Sequence, residues 1–202
     1  MRTKTPRLPP LKDEELNAEQ AEIIAKHKKA GADFAITRTF LRHPALLRAY
    51  NVWASHSFSS NNTLSKRDSE IVTMRTVWRC KAGYQWTRHV PMGLRAGLTQ
   101  VEIEALKKPV EQGPWDERDA VLIRCVDALI ADHFIEDDLW EQMTAHFDEQ
   151  QCIDAIFICG RYAMTAMFLN TAGTPIDPDL KLDPDLNWVK ADNPDDAGSR
   201  GS

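Results

Sequence analysis

Residues 64–106 read LSKRDSEIVTMRTVWRCKAGYQWTRHVPMGLRAGLTQVEIEAL, and their apolar spacing decides the fold. Ser65 followed by Asp68 resembles a capping box ahead of the run EIVTMRTVW. Within that run Ile71, Met74 and Trp78 recur at i, i+3 and i+7, the spacing of an amphipathic helix with one buried stripe. Gly83 is expected to break it. A second helix follows from Tyr84 to about Ala96 and ends at Gly97, with Trp86, His89, Val90, Gly93 and Gly97 on one face. Thr99 and Glu102 form another capping box and open a short third helix, Gln100 to Lys107.

The same periodicity extends outward on both sides. Toward the C-terminus, Asp116 to about Asp132 carries Val121, Leu122, Cys125, Val126 and Leu129 inward. Two further helices are expected at Asp137 to Phe147 and, long and apolar, at Glu149 to Asn170. Toward the N-terminus, Asp13 is placed to cap a peripheral helix reaching Ala30, and Phe34 to Leu41 leads to Ala45 to His56, with Pro44 suited to the first turn. Residues 1–12, with Pro6, Pro9 and Pro10, read as an extended arm, and residues 173–202 as a Pro/Asp-rich tail with too little apolar surface to fold alone. No segment alternates like a strand, so residues 13–172 predict one all-α domain.

Composition bounds the function. A chain of 202 residues, 43 % hydrophobic and 27 % charged, fits one globular domain, and a net charge of -5 with only short, diluted basic clusters argues against a nucleic-acid partner. No apolar run approaches the roughly 20 residues needed to span a bilayer, and the N-terminus has no signal-peptide core. The expectation is a cytoplasmic protein with no membrane partner. Cys80, Cys125, Cys152 and Cys159 show no CxxC pair and no zinc-ligand spacing, which leaves them as core thiols in a reducing compartment.

The residues that suggest chemistry are a carboxylate and an imidazole on consecutive helices. Glu70 lies at the edge of the first helix's buried stripe, and His89 lies on the glycine-bearing face of the second. Two antiparallel helices can bring the two together. A carboxylate next to an imidazole orients the ring, which suits His89 to move a proton. The same pair also serves as a satisfied buried contact, and spacing alone does not choose between the two. Tyr84, Gln85 and Trp86 are placed to line a pocket, although aromatics at this spacing also serve as plain core.

Leu64, Arg67-x-x-Glu70, the YQWxxH run from Tyr84 to His89 and GLRAGLTQVEIEAL after it resemble the carboxymuconolactone decarboxylase and alkylhydroperoxidase D-like family. The resemblance covers about residues 40–172 and implies an AhpD-like helical bundle and a homo-oligomer, a trimer or hexamer. In the family's peroxidase branch a Cys-x-x-Cys precedes the histidine. Here those positions are Ala82 and Gln85, so a dithiol peroxidase cycle lacks both thiols. The decarboxylase branch is the better match, with Gln85 standing where that branch carries Glu.

The resemblance therefore implies a lyase that cleaves a carbon–carbon bond in a small aromatic-derived substrate. No nucleotide-binding or metal motif is visible, so no cofactor and no metal site is expected. His89 would handle the proton and Glu70 orient it. Tyr84 and Gln85 would donate to an oxyanion, Trp86 would line the pocket, and Arg161 would receive a substrate carboxylate. The rivals are an antioxidant protein using a lone cysteine and a non-catalytic oligomeric binding protein.

Overall fold

The computed structural model describes residues 2–187. Among these residues the chain forms nine α-helices and no β-strand. They are α1 (Ala18–Lys29), α2 (Ala35–Phe40), α3 (Pro44–His56), α4 (Lys66–Arg79), α5 (Gly83–Arg95), α6 (Gln100–Ala105), α7 (Glu117–Asp132), α8 (Asp137–His146) and α9 (Glu149–Ala172). The described fold is thus all-α, as the helical periods predict.

The bundle is built around α4, which packs against α5, α7 and α9 at once. Glu70 to Val77 are all buried, so α4 is enclosed on every side instead of presenting the single expected stripe. Ile71, Met74 and Val77 are fully buried, each removal from water contributing roughly 1.5–3 kcal/mol, whereas Trp78 is only half-buried. Leu122, Val126, Ile158 and Ala166 from α7 and α9 complete this core. A smaller cluster of Leu11, Ile24, Phe40, Leu41 and Leu47 ties α1 to α3, and Phe168 of α9 packs against it.

Several local expectations shift by a residue or a role. Asn17, not Asp13, caps α1 by accepting from Gln20 N; Asp13 instead pairs with Lys28 and Arg38. Ser65 accepts from Asp68 N, but the Asp68 carboxylate does not complete a capping box, because it is committed to Arg118. The break between α4 and α5 falls at residues 80–82, with Lys81 at φ +54, and Gly83 is the first residue of α5. A side chain at Gly83 would sit 2.8 Å from Leu182 Cδ1, so this glycine admits the C-terminal segment. Gly93 lets α4 approach, since a Cβ there would lie 2.9 Å from Met74 Sδ. Gly97 meets no neighbour and instead ends the helix at φ +100.

The described part of the tail does not stand apart from the helical body. Asp177 accepts from the Tyr84 hydroxyl and from Ala35 N, each at 2.7 Å, Asp183 takes the Trp86 indole N–H at 3.0 Å, and Leu186 joins the main core. The arm also docks, Arg7 N and Leu8 N donating to the Ala172 carbonyl. The boundaries expected at residues 12 and 173 therefore fall inside a packed region, and the last expected tail residues, 188–202, lie outside the described residues.

Against the expectation that no apolar run nears membrane-spanning length, α9 is long and apolar enough to cross a membrane by length and composition. More than half of that stretch is buried within the bundle, where α9 serves as a core helix.

Candidate functional site

α4 and α5 bring Glu70 and His89 together: Glu70 Oε2 and His89 Nδ1 are 2.8 Å apart, and the residues are 8 % and 6 % exposed. A carboxylate can only accept, so Nδ1 carries the shared proton and the ring's second nitrogen is left with a lone pair. Among the described residues, Nε2 makes no hydrogen bond. The ring stands edge-on to Tyr162 of α9, with centroids 4.9 Å apart.

Glu70 lines a cavity of about 570 Å³, within the range of small-molecule sites. Its walls come from four places, one of them the end of α5 with Met92 and Arg95. α4 contributes Lys66, Ser69 and Thr73 beside Glu70; the segment after α3 contributes Phe58 and its serine neighbours; α9 contributes Ile158 and Tyr162. Burial pushes the Tyr162 phenol up to about 12, so it stays protonated near neutral pH and can donate. The segment after α3 is fastened by Asp154, which bonds His56 Nε2 at 2.6 Å and accepts from Thr63 N and its hydroxyl at 2.7 and 2.8 Å.

Of the six residues expected at the site, the structure gathers four. Glu70 faces the cavity and His89 backs it. Gln85 is buried behind Tyr162, its amide donating to the Tyr162 carbonyl at 3.3 Å while Oε1 has no partner. Arg161 lies with its guanidinium carbon 4.0 Å from the Tyr162 ring centre. Tyr84 and Trp86 are not brought here. Their polar atoms are engaged by Asp177 and Asp183, and burial with the Asp177 contact raises the Tyr84 phenol far above its ordinary range. They anchor the C-terminal segment, a role invisible to a periodicity reading because that segment is irregular.

The wall residues Lys66, Ser69 and Thr73 were the legible omission. Lys66 and Thr73 sit four before and three after Glu70 in the sequence, so helical spacing puts both on its side of α4, with Ser69 one residue's rotation away. Phe58, in an aperiodic loop, carried no such signal.

Burial raises all four thiols: Cys80 and Cys152 upward, Cys159 to about 11 and Cys125 to about 12. None lines the cavity. Among the described residues, no group of three or more His, Cys, Asp or Glu side chains is arranged to hold a metal ion.

Residues 44–109, which contain Glu70 and His89, match the carboxymuconolactone decarboxylase family. No curated protein matches the chain in sequence. Among solved structures, the chain resembles the alkylhydroperoxidase AhpD core of an uncharacterized peroxidase-related protein from Ralstonia eutropha, with TM-score 0.74, 16 % identity and coverage of 86 % of this chain and 93 % of that one. A peroxidase-related protein from a Silicibacter species gives TM-score 0.73 at 17 % identity, covering 88 % and 96 %. The debrominase Bmp8 in complex with 2,3,4-tribromopyrrole gives TM-score 0.69 at 11 % identity, covering 87 % and 94 %. At these identities the likeness is one of fold.

Proposed function

Because residues 44–109 match the carboxymuconolactone decarboxylase family, we propose that this chain is a cofactor-independent lyase cleaving a carbon–carbon bond in a small aromatic-derived substrate. The observation that carries this reading is the 2.8 Å Glu70–His89 pair at the wall of a ligand-sized cavity.

In the decarboxylation form of the reaction, the substrate brings its own electron sink, a lactone, enone or quinone-methide carbonyl. The electron pair of the breaking bond moves into that carbonyl and carbon dioxide leaves; His89 Nε2 first takes a proton from solvent on its lone pair and then passes it to the enolate carbon, which returns the ring to its starting form. Glu70 holds the imidazole in one tautomer and orientation. With the Tyr84 hydroxyl held by Asp177 and the Gln85 amide by the Tyr162 carbonyl, the Ser69 and Thr73 hydroxyls that line the cavity donate to the oxyanion. Proton transfer of this kind contributes ~100 to 10,000-fold in rate.

The protein would act in the cytoplasm as a homo-oligomer, a trimer or hexamer. Ile153, Phe157, Met164 and Met167 support association, because they form an exposed apolar stripe along α9 at helical spacing. The rival thiol chemistry would need Cys80, the half-buried cysteine, whose burial works against thiolate formation.

A screen of aromatic-derived lactones and enone carboxylates, read by carbon dioxide and formaldehyde release, tests the lyase reading. Free thiols are titrated in parallel before and after hydrogen peroxide. Carbon dioxide or formaldehyde release with an unchanged thiol count is expected. Rapid loss of a thiol with peroxide consumption and no one-carbon product would favour the antioxidant reading.

A further inference from the structure

α4 and α9 each bury an arginine, and their surroundings differ. Arg75, 3 % exposed, donates to both carboxylate oxygens of Asp127 at 2.7 and 2.6 Å and to the Leu106 and Lys108 carbonyls at 2.7 and 2.6 Å. Arg161, 2 % exposed, forms no ion pair among the described residues. Its Nη1 lies 3.5 Å from the Tyr50 hydroxyl, whereas Nε and Nη2 are buried with no acceptor. A guanidinium keeps its charge in a protein, and a buried charge without a counterion is strongly destabilising. The two orphaned nitrogens are also the side-on pair of the guanidinium, which matches the two oxygens of one carboxylate.

The location ties this charge to the cavity. The guanidinium carbon is 4.0 Å from the Tyr162 ring centre and 5.5 Å from that of Phe58, and both rings line the cavity that holds Glu70. Phe58 is 62 % exposed on the segment between α3 and α4, so the ring over the guanidinium has solvent to turn into. Lys66 and Arg95 also line the cavity, both exposed and neither in an ion pair among the described residues. Glu70 is the sole carboxylate among the described lining residues. The charge balance of the cavity therefore favours an anion.

Resting on the acid–base reading of this cavity, the geometry points to Arg161 as its anion seat: the ligand is an aromatic carboxylate whose two oxygens bind Nε and Nη2 when Phe58 turns aside. Its ring then lies against Tyr162, leaving the reacting part toward Glu70 and His89. Arg161 is thereby a specificity-determining residue, and neutral analogues of the same shape are rejected because they leave the guanidinium unpaired.

Calorimetric titration of the protein with benzoate and with benzamide, its uncharged counterpart, tests this. Wild type is expected to bind benzoate at least tenfold more tightly than benzamide. Arg161→Met is expected to lose that preference and Arg161→Lys to keep part of it. Neither probe carries a group that can react, so the preference reads the anion seat separately from the proton chemistry. Equal binding of the two probes by wild type, or of neither, would overturn the proposal without any variant having to fold. So would an Arg161→Met protein that keeps the preference, or one whose sedimentation mass changes, which would assign the guanidinium's counterion to a second copy of the chain.

Discussion

Glu70 on α4 and His89 on α5 meet at 2.8 Å where the two helices pack together, and the carboxylate, not the imidazole, forms part of the cavity wall. The pair is asymmetric in its remaining bonding capacity. His89 Nδ1 is committed to Glu70, while Nε2 makes no hydrogen bond among the described residues. That arrangement is what a proton-transferring imidazole needs: one nitrogen fixed, the other available.

Replacing Glu70 with Gln keeps the shape and allows a hydrogen bond to Nδ1, but it no longer requires the proton to sit there. The expected result is a fall in kcat of about 100-fold, with a much smaller change in KM. Steady-state kinetics on the substrate found by the lactone and enone screen checks the split. A KM effect with kcat preserved would assign Glu70 to binding.

Asp68 gives a pH signature to the fold. Burial alone would raise its pKa, but the Arg118 fork at 2.7 and 2.8 Å and the Ser65 contact outweigh burial and hold it below the ordinary 3.8. A depressed carboxylate contributes stability above its unfolded pKa and loses it as pH falls through the folded one. Asp68→Asn is therefore expected to cost about 2 kcal/mol at pH 7, a cost that shrinks as pH falls below about 4. Denaturant melts at pH 7 and pH 3 measure the difference.

Two glycines provide opposite stability tests. A Cβ at Gly93 would lie 2.9 Å from Met74 Sδ and 3.2 Å from Leu98 Cδ1, so overpacking of about 1–3 kcal/mol outweighs the helix propensity gained by alanine. At Gly160 in α9 the added atom meets nothing within 4 Å. Gly93→Ala should lower the thermal midpoint, and Gly160→Ala should raise it by the equivalent of about 0.5–1 kcal/mol.

Tyr84 separates anchoring from catalysis. Its hydroxyl donates to Asp177 at 2.7 Å and accepts from Ile36 N at 3.3 Å, away from the cavity. Tyr84→Phe strands both partners and is expected to cost about 1–3 kcal/mol of stability. Turnover by the folded variant should stay within a factor of about three of wild type. Paired melting and kinetic measurements decide whether Tyr84 belongs to the site after all.

The sequence carried the helices well where period and caps agree. The Thr99–Glu102 box and the spacing of Val121, Leu122, Cys125 and Val126 are local signals, and both elements form, although α6 ends at Ala105, short of the expected Lys107. The Glu70–His89 contact was legible because each residue lies on a helix face that periodicity defines. Phe58 and Asp177 were not, since both sit in irregular chain whose position depends on contacts more than 90 residues away, Asp154 to Thr63 in one case and Asp177 to Tyr84 in the other. Tyr84 and Trp86 were misplaced for a related reason: helical spacing says which way a residue points, but not that a C-terminal segment will be there to meet it.

The most direct test of the account is the turnover of His89→Ala on the first substrate that wild type converts with one-carbon release. A loss of at least ~100-fold, in a protein with an unchanged helical circular dichroism spectrum, is the predicted result. Retention of more than about a tenth of wild-type turnover would contradict proton transfer by His89, because general acid–base catalysis contributes well beyond that factor.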